Sequence, residues 1–375
     1  MNIVIAPDSF KEALPAREVC AAIARGVRRA WPNTQIDMIP MADGGEGTVE
    51  TLIEACGGTL METLVCGPLG APVTARWGLL GHPEHTAVVE MAAASGLGLV
   101  PPDRRNPMLT TTYGTGELIL AALETGVDTI MLGIGGSATN DGGAGAAQAV
   151  GVRFYDGEGG ICPPRLAGGY LNQVARIDIS QRHPRIALTQ IKVACDVDNP
   201  LCGPHGAAAV YGSQKGATPE QIATLDANLA HWAELIHREM GRTVSDIPGA
   251  GAAGGLGAGL MALFDAKLAS GIELVMEAVR LAERIAAADL VITGEGRIDR
   301  QSMMGKVISG VARTAKDAGV PAIALVGSIG EGAEATLEIL DSYHCINPPG
   351  MPQHQALART AEALEAATWD VLAKR

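Results

Sequence analysis

The chain has 375 residues, 47% hydrophobic and 18% charged, with 48 glycines, a mix that belongs to folded α/β proteins with many tight turns and not to disordered or fibrous chains. Three Phe, four Trp and five Tyr are too few for base-stacking platforms, and 28 Lys and Arg against 41 Asp and Glu leave a net charge of −13 that repels nucleic acid and anionic membranes. Neither is an expected partner, and the length suits about two to three domains.

Ile3-Val4-Ile5-Ala6 reads as a short buried strand. No basic segment precedes it and Asp8 ends the apolar run, so no signal peptide is expected. Pro15 opens a helix whose apolar face, Val19, Ala22, Ile23 and Val27, repeats every three to four residues until Pro32 stops it. Residues 35–39 return as a second strand. Strand, helix and strand imply a right-handed parallel βαβ unit, which puts the loops containing Asp8 and Asp43 on the same, carboxyl-terminal sheet edge.

The middle of the chain opens with strand-like runs at 62–65, 72–79 and 86–90, then strands at 129–134 and 191–195. Helices are predicted near 117–123, 144–150, 219–240 and 272–287. The longest uncharged stretch, 247–264, is short of a membrane span and carries six glycines between Asp246 and Asp265, so it reads as a glycine-rich loop running into a buried helix. Beyond it come a strand at 289–293, a helix at 306–318, strands at 321–326 and 342–346, and a closing helix at 355–372. Neither end of the chain has enough strands for a covered sheet by itself. The expected fold is therefore α/β with two domains. Residues 1–61 and 286–375 build a Rossmann- or flavodoxin-like doubly wound parallel sheet, and 62–285 form an inserted mixed α/β domain, with the active site in the cleft between them. Seven scattered cysteines, odd in number and without a CxxC pair, fit a reducing, cytoplasmic compartment.

The chemistry-bearing segments lie at strand exits. In residues 133–143, Gly135, Gly136, Ser137, Thr139, Asn140 and Asp141 follow a strand and precede a helix, so amide groups can converge on a phosphate or a carboxylate. Asp141 there suits either a metal or the helix cap. Asp43, in Asp-Gly-Gly-Glu-Gly, and Gly294, Glu295, Arg297 and Asp299, in Gly-Glu-Gly-Arg-Ile-Asp, offer carboxylates of the kind Mg²⁺ takes, or simple helix caps. Asp8, Ser9 and Lys11 sit at the first strand exit; Lys215 occupies a polar loop before a helix, and either lysine can meet phosphate oxygens or stay solvated. Asp196 and Asn199 follow a buried strand, as a rigidly held base would, or form an Asx turn. Residues 249–254 match GxGxxG, but no strand precedes them, so a dehydrogenase fingerprint is weak. P-loop, GxSxG and HExxH patterns are missing.

The set Ile5-Ala6-Pro7-Asp8-Ser9-Phe10-Lys11-Glu12, Pro40-Met41-Ala42-Asp43-Gly44-Gly45-Glu46-Gly47-Thr48, 135–143, Ala194-Cys195-Asp196-Val197 and Thr293-Gly294-Glu295-Gly296-Arg297-Ile298-Asp299 resembles the bacterial glycerate kinase type-1 family, in matching order from residue 3 to about 346. The resemblance implies ATP-dependent, Mg²⁺-assisted phosphorylation of D-glycerate to 2-phosphoglycerate, in two α/β domains, by a monomer or homodimer. On that footing residues 133–143 cradle phosphates or the glycerate carboxylate, Asp43 and Asp299 hold Mg²⁺, Lys11 and Lys215 steady charged oxygens, and Asp196 takes the hydroxyl proton. A nucleotide-dependent dehydrogenase of a small hydroxy acid and a non-catalytic binder of carboxylates or nucleotides are the competing readings.

Overall fold

The computed structural model describes residues 1–303 and 305–374. It is α/β throughout, and the chain divides into two compact units.

The first unit comprises Met1–Asp43, Glu50–Gly58 and the chain from Gly271 onward. Its sheet has five parallel strands in the order Ser342–Cys345, Ala322–Val326, Leu290–Glu295, Asn2–Ile5 and Gln35–Met38. Every residue of Leu290–Glu295 and Ala322–Val326 is buried, which explains the unbroken apolar runs 290–292 and 322–326: a parallel sheet is covered on both faces and shows no alternation. The helix Ala16–Ala30 covers one face through Val19, Ile23 and Val27, each fully buried and each contributing roughly 1.5–3 kcal/mol of apolar transfer. Glu18 in its first turn and Arg28 and Arg29 in its last complement the helix dipole. Arg29 also lies over the ring of Trp369, 4.4 Å from its centroid, on the closing helix Thr360–Leu372.

The second unit, Gly44–Val49 and Thr59–Ser270, carries a six-stranded mixed sheet in the order Lys267–Ala269, Gln190–Ala194, Thr129–Gly133, Thr86–Glu90, Pro72–Leu80 and Gly58–Cys66. The first four pair in parallel, and Thr86–Glu90 meets Pro72–Leu80 antiparallel. Its core includes Trp232 of the long helix Pro219–Met240, edge-on to Phe154 with centroids 5.3 Å apart. That helix starts at a reciprocal capping box, Thr218 with Gln221, and stops at left-handed Gly241.

Several expectations need correction. The expected border at 285/286 lies elsewhere, since the segment after Gly271 clusters with the first unit and Gly44–Val49 with the second. The helix expected over 272–287 is two, Gly271–Ala278 and Leu281–Ala286, broken where Arg280 takes a left-handed conformation. The closing helix is likewise two, Gln353–Ala358 and Thr360–Leu372, divided at non-helical Arg359. In both cases the apolar period carries across a single residue that leaves the helical region, and periodicity cannot register it. The helix that the Asp43 loop could cap runs over Thr48–Cys56, and the antiparallel pair Arg153–Tyr155 with Arg176–Asp178 is not expected from the sequence. The glycine-rich stretch does run into a buried helix, Ala252–Phe264, but Ala253, Gly254 and Gly255 are left-handed at its start. Among the described residues no helix is long and apolar enough to cross a membrane, and all seven cysteines are free.

Candidate active site

In the second unit, the loop after Thr129–Gly133 is wound against the helices behind it. Gly142 is left-handed, and a Cβ there would come within 2.5 Å of the Trp232 ring, whose Nε1 donates to the Gly142 carbonyl at 3.0 Å. Gly254, also left-handed, lies so close that a Cβ would stand 1.9 Å from the Thr139 carbonyl oxygen. Glycine is therefore required at both places to let the backbones approach. Gly135 and left-handed Gly136 lead into the loop, and the Gly136 carbonyl accepts from Leu97 N at 2.8 Å.

Asp141, fully buried, spends its carboxylate inside the loop. It accepts from Thr112 N at 2.7 Å, Thr112 Oγ1 at 2.8 Å, Gly143 N at 3.2 Å and Gly145 N at 3.3 Å. Burial pushes this carboxyl up, and those four hydrogen bonds pull it back. Thr112 Oγ1 in turn accepts from Ala146 N at 2.9 Å, tying the clamp to the first turn of the helix Ala144–Ala149. Of its two sequence alternatives, Asp141 thus takes the capping one.

Lys215, only 3% exposed, reaches this loop from the short turn Ser213–Lys215. Its Nζ donates to Ser137 Oγ at 2.6 Å and to the Thr139 carbonyl at 2.8 Å. Burial pushes the ammonium down to about 7, against the attraction of Asp141. Beside it, Thr139 Oγ1 and both polar atoms of the Asn140 amide are buried without a partner, as is Arg105 Nε. Arg105 adjoins Gly216, the residue after Lys215: a Cβ on Gly216 would stand 2.2 Å from the Arg105 carbonyl oxygen. Asp196 is exposed on the loop after Gln190–Ala194. Asn199 on the same loop is engaged internally, Nδ2 donating to the His205 carbonyl at 2.9 Å and Oδ1 accepting from Tyr211 Oη at 2.7 Å.

In the first unit, the predicted residues gather at the carboxyl ends of the parallel strands. Asp8 N donates to the Gly294 carbonyl at 2.9 Å, joining the two strand exits. Asp8 Oδ1 accepts from Ser9 N at 2.6 Å and more loosely from Ser9 Oγ at 3.3 Å. Burial, then the charge of Asp43, push the Asp8 carboxyl up to about 6, with Ser9 and Lys11 opposing. Glu295, 6% exposed, accepts from Ser302 Oγ. Burial raises it to about 7; Ser302 and Lys306 pull it down, while Asp8 and Asp299 push it further up. Asp299 accepts from Gln301 N at 2.9 Å and Arg297 Nε at 3.2 Å. Lys11 is exposed.

These oxygen donors and their mutual repulsion suit a hard cation. Among the described residues no group of three or more His, Cys, Asp or Glu side chains is placed to hold a metal ion by itself. Sequence reading passed over Thr112, Arg105, Ser302 and Lys306. Each contributes through a partner distant in sequence or through its burial, and only the threonine run 110–112 ahead of a helix offered any local signal.

Residues 249–254 lie against Thr139 and the Pro200 carbonyl with no strand leading into them, so they are not a dinucleotide-binding βα turn.

Comparison with known proteins gives consistent matches. The model for the glycerate kinase family matches residues 3–374. A glycerate kinase of Halalkalibacterium halodurans is 53% identical over 371 residues, covering 99% of this chain and 97% of the relative. The Escherichia coli K12 protein named glycerate 2-kinase is 49% identical over 374 residues, covering 98% and 97%. The crystal structure of "putative glycerate kinase 2" from Salmonella typhimurium LT2 superposes with a TM-score of 0.90 at 48% identity, covering 100% of this chain and 98% of that one.

Proposed function

The chain belongs to the glycerate kinase family and is an enzyme of that class, and from this premise we propose that it transfers the γ-phosphoryl group of ATP to the 2-hydroxyl of D-glycerate. The choice of hydroxyl is supported by the 49% identity to a protein named glycerate 2-kinase. The observation that carries the reading is the buried Lys215 ammonium, held on a glycine-rich strand-exit loop by Ser137 and Thr139. Phosphoryl transfer asks the protein mainly for positioning and for charge placed where the anionic groups lie, and a buried cation among fixed dipoles does this without reorganising.

In this reading Lys215 and the loop of Gly135, Gly136, Ser137, Thr139 and Asn140 hold an anionic group of a substrate, with Asp141 and Thr112 keeping the loop in shape. Asp8, Ser9, Gly294, Glu295 and Arg297 bind around the phosphates together with Lys11, and Asn199 keeps the loop of Asp196 in place. Asp196 takes the proton of the attacking hydroxyl. Asp43 and Asp299 would hold Mg²⁺. Bound, the ion would supply charge neutralisation at the phosphate oxygens. A cytoplasmic location is supported by the seven free cysteines.

The test is coupled ADP release from ATP, Mg²⁺ and D-glycerate, with L-glycerate and acceptor-free controls and phosphorus NMR of the product. The reading predicts turnover only with D-glycerate and a phosphorus coupled to the C2 proton. In the same assay Asp196→Ala should lower kcat by about 10² or more. Coupling to the C3 protons would move the product to the 3-phosphate, and near wild-type kcat in Asp196→Ala would remove Asp196 as the base.

A further inference from the structure

We propose that the Ser137, Thr139, Asn140 and Lys215 cradle is the acceptor subsite, taking the α-hydroxy carboxylate of the substrate and not the phosphates of the nucleotide. The proposal rests on the kinase reading and goes beyond it by assigning one of two substrates to one cluster.

Hydrogen-bond bookkeeping makes the distinction. Thr139 Oγ1, Asn140 Nδ2 and Asn140 Oδ1 are three unpartnered polar atoms on consecutive residues, 0% and 1% exposed, next to a lysine that is itself 3% exposed. Buried side-chain polar atoms in folded proteins nearly always have partners, so three in one place mark a site whose partners come from outside the chain. Lys215 Nζ has three protons and the structure uses two, on Ser137 Oγ and the Thr139 carbonyl. The third proton and Asn140 Nδ2 need an acceptor, which either a carboxylate or a phosphate supplies. Asn140 Oδ1 needs a donor. The fully ionised phosphate chain of a nucleotide has none, whereas a hydroxy acid brings a hydroxyl that accepts from Thr139 Oγ1 and, in the bound ground state before its proton passes to the base, donates to Oδ1. A ligand with both a carboxylate and a neighbouring hydroxyl satisfies the whole set.

The charge balance points the same way. Asp141, the nearest acid, has its carboxylate committed to Thr112, Gly143 and Gly145, so the Lys215 ammonium has no carboxylate directly on it. An incoming carboxylate would be its first ion-pair partner. The orphan atoms are shielded from solvent, so entry requires the covering chain to part. Gly254 and Gly168 are packed on the backbone of Thr139 and Asn140.

The experiment compares wild type with Asn140→Ala and the nearly isosteric Thr139→Val. Turnover is measured with each substrate varied separately, and thermal stabilisation is measured with D-glycerate alone and with a non-hydrolysable ATP analogue plus Mg²⁺. Circular dichroism and the analogue-induced shift identify folded variants. The proposal predicts a KM for D-glycerate raised about 10- to 100-fold in Asn140→Ala, less in Thr139→Val, with KM for ATP within about twofold. It also predicts loss of stabilisation by D-glycerate and retention of stabilisation by the analogue. A raised KM for ATP with glycerate unaffected would overturn it in favour of a phosphate cradle, and unchanged constants for both substrates in folded variants would overturn it outright. Wild-type protein that never turns over D-glycerate would instead sink the kinase reading, and this assignment with it. If both variants fail to fold, wild type decides: slowed hydrogen exchange of the 137–143 backbone with D-glycerate but not with the ATP analogue supports the assignment, and the reverse pattern contradicts it.

Discussion

Lys215 in the second unit and Glu295 in the first lie under similar cover, 3% and 6% exposed, yet burial drives their titrations toward each other from opposite sides. The lysine falls from its ordinary 10.5 to about 7 and the glutamic acid rises from 4.5 to about 7, because a low-dielectric surrounding disfavours whichever form carries charge. Their neighbours differ in kind. Lys215 meets a hydroxyl and a carbonyl, dipoles that leave its charge unpaired, whereas Glu295 feels the further negative charges of Asp8 and Asp299. One region therefore gains most from an incoming anion and the other from a cation. The signs follow. Lys215 must be protonated to hold an anion, so anion affinity falls as pH rises through 7. Glu295 and Asp8 must be ionised to attract a cation, so cation affinity falls as pH drops through 7 and then 6.

The largest effect should come from removing the cation. Lys215→Met is expected to lower kcat/KM for D-glycerate by about 10²–10³, the scale of deleting one preorganised charge donor. Its melting temperature should be kept or raised, because the cost of burying the ammonium goes with it. A variant that stays within a few-fold of wild-type activity but melts earlier would make Lys215 a packing residue and erase the contrast. A smaller effect is expected from Glu295→Gln, which keeps the shape and removes the charge. The Mg²⁺ concentration for half-maximal activity should rise about tenfold with KM for D-glycerate unchanged, as the loss of one negative charge near Asp299, a proposed holder of the ion, would do. A change in the glycerate constant alone would move Glu295 to the wrong side of the comparison.

The first unit was the more legible of the two in sequence. Continuous apolar runs such as 290–292 and 322–326, each followed within two residues by Gly and polar residues, mark parallel strands and their functional edge without any knowledge of contacts. Asp8, Asp43, Glu295 and Asp299 could be found that way because they sit directly at strand exits. In the second unit the loop 133–143 was visible for the same reason, and Lys215 was visible as one lysine in a polar turn. Its burial was not, because it depends on Ser137, 78 residues earlier. Nor could sequence decide whether Asp141 ligates or caps: the answer lies in Thr112, 29 residues away, whose N–H and hydroxyl both reach it. Local pattern reports where a strand ends, and long-range packing decides which of the loop's polar atoms are spent and which are left over. The orphan amide of Asn140 belongs to the second kind of information.

The most direct test is the affinity of the wild-type protein for D-glycerate, without nucleotide, by calorimetry from pH 6.5 to 8.5 in buffers of different ionisation enthalpy. If the acceptor carboxylate pairs with Lys215, the affinity should fall about tenfold per unit above pH 7, and binding at pH 8 should take up about one proton as the lysine is recharged. An affinity that stays flat across that range, with no proton taken up, would contradict the pairing and place the carboxylate elsewhere.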